Sequence, residues 1–381
     1  MECKSLIEIL AEIPDFRKAK GKRHPLPAIL GLAYVAVMCG CRTYSAIADW
    51  GHNYDRKFIR ALGFTHERTP CIATFHIIFR EIDIKLLEIK LGEWAERVLK
   101  LSLDLSQEDV TQEAVAIDGK TLRGSLKQGA NITHLLSAVS HQLGLTLAQC
   151  SVDGKTDAKT NEIGVMPEVL ENLVLKGKII TADAMHTQRK TCQTIVEEDG
   201  DYVMIVKDNQ KGLLDDVATT FTGPCSHKLR KSFAKKLDSE HGRIEQRHLT
   251  ASDELPHYMD WPGLKQVFMV ERKAIIKKTG ECRAETVYGI TSLSAEQADA
   301  SRLMKLVRCH WHIENRSHWV RDVTFDEDRS QVRSGNIPQV MAALRNTAIG
   351  LMRFAGETNI AAACRRYAAK PRPALELIGA M

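Results

Sequence analysis

The chain has 381 residues, 44% of them hydrophobic and 27% charged, and 53 Lys and Arg against 48 Asp and Glu leave a formal charge of +5. That composition excludes a mostly disordered chain, and the mild positive surplus permits a nucleic-acid partner without demanding one. At about 150 residues per domain, the length suggests two or three structural units.

The opening segment, Met1 to Lys22, carries Glu2, Glu8, Glu12 and Asp15 among its apolar residues, so no signal peptide is expected. Residues 1–105 read as a helical domain, with helix-spaced apolar residues over Leu26 to Met38, Tyr44 to Trp50 and Leu86 to Leu99. The apolar run from Leu26 to Cys41 is broken by Pro27, Gly31 and Gly40, which fits a buried helix and no membrane span. Arg17, Lys18, Lys20, Lys22 and Arg23 form a basic cluster, equally readable as a solvated loop or as an arm on phosphate. The ten cysteines are irregularly spaced and no CxxC occurs, which argues against structural zinc and for reduced thiols in a cytoplasmic protein.

From Glu113 the pattern changes. A short apolar strand ends on Asp118, and His134 to Ser140 and Leu143 to Val152 read as two more strands. A helix over Ile163 to Leu175 then leads to a strand from Lys178 that ends on Asp183. Helix Gln188 to Glu198, strand Tyr202 to Val206 and helix Gln210 to Phe221 follow. This order predicts an α/β fold, an RNase H-like mixed sheet with flanking helices, over residues 106–355. Alternating runs at Ile244 to Thr250, Gln266 to Ile276 and Glu285 to Thr291 predict that a β-rich insertion at about 222–295 interrupts it. A long helix is expected from Ala295 to Trp319 and another from Pro338 to Phe354, with residues 356–381 as a basic C-terminal tail.

Two strands that each end on an aspartate are the informative feature. A strand fixes its backbone, so Asp118 and Asp183 are placed with little freedom, and if the strands are neighbours their carboxylates converge. Nearby carboxylates repel, which favours a divalent cation, and magnesium takes a few carboxylates while keeping positions for phosphate oxygens. A third acid, Glu314, lies in the late helix, where His310, Glu314, His318 and Arg321 fall on one face at helical spacing. Trp311 and Trp319 lie beside that face, either packing the helix or free to stack on a base. Asp153, in a second Asp-Gly-Lys-Thr at 153–156, reads as a strand end and is not counted as a ligand.

These residues carry a resemblance. Ala116-Ile117-Asp118-Gly119-Lys120-Thr121, Thr181-Ala182-Asp183-Ala184-Met185-His186 and His310-Trp311-His312-Ile313-Glu314-Asn315 resemble the three acidic blocks of DDE transposases from bacterial insertion sequences, in the H-repeat-associated branch. Further blocks agree, at Lys159 to Ile163, Val206 to Gln210, His241 to Glu245 and Arg321 to Phe325. Ile13-Pro14-Asp15 and Lys22 to Leu26 resemble the associated N-terminal domain. The first two acids are 65 residues apart and the second and third 131, and the resemblance implies that the second gap houses a β insertion. Related enzymes carry a Tyr, Arg, Glu and Lys signature around the third acid. Here Val307, His310, Glu314 and Arg321 stand at those positions.

The resemblance implies a transposase that nicks double-stranded DNA at an element's terminal repeats and joins the ends to target DNA. Asp118, Asp183 and Glu314 would hold two divalent cations, Mg2+ or Mn2+. Lys120, Arg123, His186, Lys207, His310 and Arg321 would contact phosphate, with His186 equally suited to cap the helix after it. It also implies a homodimer in the DNA complex, at work in the bacterial cytoplasm. A catalytically inactive DNA-binding remnant is the alternative, and a zinc hydrolase built on His310, Glu314 and His318 is a weaker one, since the HExxH order is missing. A phosphate-binding loop at Asp118-Gly119-Lys120-Thr121 is excluded, because Ala114 stands where its first glycine is required.

Overall fold

A computed structural model describes residues 4–106, 112–125, 132–152, 158–224, 226–239, 242–255 and 258–381. The second Asp-Gly-Lys-Thr, including Asp153, and His241 lie outside the described residues. The helices are α1 (Leu6–Ala11), α2 (Leu26–Met38), α3 (Tyr44–His52), α4 (Arg56–Ala61), α5 (Ile72–Glu81), α6 (Ile84–Ser106), α7 (Ala158–Glu171), α8 (Arg189–Glu197), α9 (Lys211–Thr222), α10 (Ala300–His310), α11 (Trp319–Val323), α12 (Ile337–Phe354), α13 (Ile360–Ala369) and α14 (Arg372–Ile378). The strands are β1 (Glu113–Leu122), β2 (Thr133–Ser140), β3 (Thr146–Val152), β4 (Lys178–Ala182), β5 (Asp201–Val206), β6 (Ser232–Asp238), β7 (Arg243–Ser252), β8 (Gln266–Ile276) and β9 (Cys282–Thr291). No helix among the described residues is long and apolar enough to cross a membrane.

The chain divides into two compact units, the first made of Met1–Val110, Gly119–Leu173 and Ile313–Met381, the second of Thr111–Asp118 and Val174–His312. In the first unit, α2 is apolar on every side and buries twelve of its thirteen residues, as a helix without a polar face must. Helices α1, α3, α12, α13 and α14 pack around it. The stretch after Gly356, expected as a tail, therefore folds back as two helices, because Ile360, Ala363, Cys364, Tyr367, Leu375 and Ile378 give it a face to bury. Helix α12 buries sixteen of its eighteen residues, polar Gln339, Arg345, Asn346 and Thr347 among them. Strands β2 and β3 form an antiparallel hairpin covered by α7 and α6.

In the second unit, Glu113 to Ile117 of β1 pair in parallel with Lys178 to Ala182 of β4, and β4 pairs in parallel with β5. The β-rich stretch then extends this sheet by antiparallel pairing, in the order β5-β9-β8-β7-β6. Pairing with β9 satisfies the backbone groups that β5 would otherwise present at an open edge. Strand β6, not expected from the sequence, closes the far edge, with Phe233 and Leu237 exposed and lysines between them. Leu249, Phe268, Leu293 and Leu303 head the core beneath α10. The strand order β3-β2-β1 in the first unit and β1-β4-β5 in the second, with β4 and β5 parallel to β1, is the RNase H-like arrangement the sequence predicts.

The late helix is the main departure. It starts at Ala300, where Asp299 accepts the amide of Arg302 at 2.8 Å, and it ends at His310. Ile313–His318 is a turn of π-helix and Trp319 opens α11. One continuous face from His310 to Arg321 is therefore not formed. The widened turn changes the angular spacing that the expectation assumed.

Candidate active site

The last paired residues of β1 and β4 are Ile117 and Ala182. Asp118 and Asp183 each come one residue later, at equivalent positions on adjacent parallel strands about 4.8 Å apart. Matched register sends both side chains to the same side of the sheet. Backbone pairing alone thus sets the two acids at equivalent places on neighbouring strands. Asp183 has about half its side chain exposed and Asp118 is partly buried, so both carboxylates can meet a ligand from solvent.

Two residues before Asp183, on the same side of β4, Thr181 is buried and its hydroxyl lies 3.1 Å from Nδ1 of His310. The other ring nitrogen, Nε2, stands 3.8 Å from the Asp183 carboxylate. Burial pushes the His310 pKa below its ordinary value, partly countered by Asp183. The loop after β5 is stitched to the loop after β4, with Asn209 donating to the carbonyl of Ala184 at 2.7 Å and Gln210 to that of Thr187 at 3.1 Å. Lys207 opens that loop at the same sheet edge as the two aspartates, and it is exposed. Ligands of open α/β sheets bind at this carboxyl-terminal edge.

Glu314 lies in the first unit, in the π-helical turn. Its Oε2 is 3.0 Å from Nδ1 of His318, and this bond holds its carboxyl below the usual range. His318 is itself buried, and burial, followed by nearby Arg321 and Lys120, keeps it from protonating at its ordinary pKa. Behind this turn lies a buried ion network. Arg321 donates from Nε to Glu327 at 2.7 Å, and Arg345 donates to the other Glu327 oxygen at 2.8 Å. Burial alone would raise the Glu327 pKa, but the two guanidinium groups outweigh it and hold it at about 2. Lys120 reaches both oxygens of Asp322, at 2.8 and 2.7 Å.

The residues read as phosphate contacts therefore divide. Arg321 is fully enclosed and Lys120 is buried against Asp322, so both brace the fold where solvent contact was expected. His186 and His310 are also buried. Arg123 and Lys207 are the two with exposed side chains. In the N-terminal cluster, Arg17 is locked onto Asp15 and the carbonyl of His24, whereas Lys18, Lys20, Lys22 and Arg23 are exposed. Trp311 and Trp319 are both more than half exposed, which removes the packing role.

Several supporting residues escape a reading of single motifs. Glu162 is buried, bonded to His134 at 2.7 Å, and His134 contacts Thr121 at 2.8 Å. A Cβ on Gly119 would come within 2.6 Å of the Glu162 carboxylate, which accounts for the glycine directly after Asp118. Asp322, Glu327 and Arg345 had no signal beyond the block at Arg321 to Phe325, since their pairing depends on the return of α12.

Comparisons with known proteins identify the family. Residues 110–351 match the Transposase DDE domain family, and residues 7–95 match the DDE_Tnp_1-associated family. The chain belongs to the DDE transposase family. This DDE transposase is 33% identical over 365 residues to "H repeat-associated putative transposase YhhI" of Escherichia coli K12, spanning 92% of this chain and 91% of that protein. It is 31% identical over 359 residues to "Putative transposase YncI" of Escherichia coli O157:H7, spanning 93% and 88%. Among solved structures, a piggyBac transposase synaptic complex with hairpin DNA aligns with 97% of this chain and 76% of that one, at TM-score 0.43 and 10% identity. At that level the strand order, not the alignment, identifies the fold.

Proposed function

We propose that this DDE transposase nicks the ends of an insertion sequence and joins the freed 3′-ends to target DNA by in-line displacement at phosphorus. The observation that carries the reading is the pair Asp118 and Asp183, each directly after the last paired residue of adjacent parallel strands. Their oxygen-only donor set suits a hard divalent cation, which offsets the repulsion between carboxylates on neighbouring strands. Asp118, Asp183 and Glu314 would hold two such ions. When bound, magnesium or manganese supplies the charge that activates the attacking hydroxyl and steadies the leaving oxygen.

The chain's own groups do the rest. His310 buttresses Asp183 from its buried seat on Thr181, and His318 keeps Glu314 ionised. Lys207 and Arg123 are the exposed cations suited to phosphate contact. Pairing two ends calls for a homodimer on double-stranded DNA, at work on the nucleoid in the bacterial cytoplasm. The test is replacement of each acid by alanine, read on terminal-repeat DNA with magnesium. Loss of nicking and strand transfer with end binding retained is expected. Unaltered cleavage by Asp183→Ala overturns the reading, and end binding without nicking by the native chain identifies an inactive copy.

A further inference from the structure

Directly after Glu314, the chain lines a cavity of about 600 Å³ that lies wholly within the first unit. Its walls come from the residues that end and follow α2, the π-helical turn with α11, the end of α12 and one side of α13. Four arginines line it, Arg42, Arg316, Arg353 and Arg365, and its described lining holds no Asp or Glu. Among the described residues only Arg42 of the four reaches a carboxylate, that of Asp326 at 3.7 Å. Burial, followed by the neighbouring Arg316, pushes the Arg353 pKa down to about 10, the signature of a cation held where charge is costly. Asn359 caps α13 through the amide of Ala362 at 3.0 Å, and the positive end of that ten-residue helix opens on the same space. The indole of Trp319 is 56% exposed on the wall.

We propose that this cavity receives an unstacked nucleotide of a single DNA strand, its phosphate among the arginines and its base against Trp319. Four arginines, three of them without a carboxylate partner among the described residues, select an anion, and an exposed indole adds a stacking surface that any base can use. The volume falls in the range of pockets that enclose one small ligand and is too small for a duplex. Asn315 and Arg316 follow Glu314 in the chain, so a strand held here is held beside the third acid. The inference rests on the reading of the protein as a DNA-processing enzyme, but its test does not depend on catalysis.

The full-length protein is titrated into a labelled oligothymidylate, followed by fluorescence anisotropy. Trp319→Ala is expected to weaken binding about tenfold, with Trp319→Phe close to the native chain. Arg42→Ala with Arg365→Ala is expected to lower the slope of log affinity against log salt by about one. Thermal midpoints of the variants close to the native one show that the fold is kept. Native affinity and salt slope in these variants overturn the inference, as does thymidine monophosphate binding as tightly as the oligonucleotide, which marks a site for free nucleotides. A parallel nicking assay separates the two readings. Native nicking with undiminished oligonucleotide binding by Trp319→Ala removes the cavity alone. Weakened binding by that variant, with no nicking by the native chain, removes the transposition reading alone.

Discussion

The two regions that carry the candidate acids are built on different physical principles. At the sheet edge of the second unit, Asp118 and Asp183 are placed by main-chain hydrogen bonds between β1 and β4. In the first unit, Glu314 sits on an irregular turn braced by side chains, with His318 bonded to it and the Arg321–Glu327–Arg345 network behind. A paired strand tolerates a change of a part-exposed side chain, because the backbone stays where its partners hold it. A side-chain network does not, because removing one member strands the others in a medium that cannot solvate them.

The sharpest way to break this contrast is Glu327→Ala. Removing the shared carboxylate leaves Arg321 and Arg345 buried without it, and a stability loss of about 3–5 kcal/mol is expected in denaturant titration. A loss below about 1 kcal/mol would mean that the network does not hold the turn.

Next in size is Glu88, in the same unit. Burial pushes its carboxyl up to about 7, although Gln149 and Gln339 donate to it at 2.7 and 2.9–3.0 Å. The folded state retains a proton that the unfolded chain releases near 4.5. This contribution is therefore complete below that value and is lost as pH rises through about 7. Glu88→Gln abolishes the loss, so the variant should gain on the native chain by on the order of 3 kcal/mol between about pH 5 and about pH 8. Parallel stability curves for the two proteins would contradict it.

His318→Gln should cost about 1 kcal/mol and weaken the bond that keeps Glu314 ionised. The Glu314 pKa then rises toward its ordinary value, so the acid limb of the nicking profile should move to higher pH. An unmoved limb would separate Glu314 from the chemistry. The smallest effect on stability belongs to Asp183→Asn, expected within about 0.5 kcal/mol because the side chain is half exposed and the strand is set by its backbone. The same variant should lose nicking by roughly a thousandfold, which sets a near-silent change in stability against a large one in activity.

Much of the second unit was legible in the sequence. Strands β4 and β5 are short apolar runs, and Asp183 follows β4 directly as expected, whereas β1 runs on past Asp118 to Leu122 because its pairing outlasts its apolar run. Strand β6 was not legible, since Phe233 and Leu237 alternate with lysines on an edge where no buried face enforces the pattern. The break after His310 was equally hidden. A π-helical turn keeps the composition of a helix while changing its spacing, so periodicity read one continuous face. The basic segment after Gly356 read as a tail because its arginines outweighed the apolar residues that dock on α2.

What the sequence by itself determined was local: which runs become strands, which acids follow their apolar residues, and in what order they come. Strand and helix periods follow from backbone geometry and leave their mark on nearby residues. What only the tertiary structure decided was the fate of the basic side chains. Arg321 and Arg365 look alike in the sequence, yet one is sealed against Glu327 and the other lines a cavity without carboxylates. The difference lies in desolvation and in partners brought from distant segments, and a charge does not announce either one in the residues beside it.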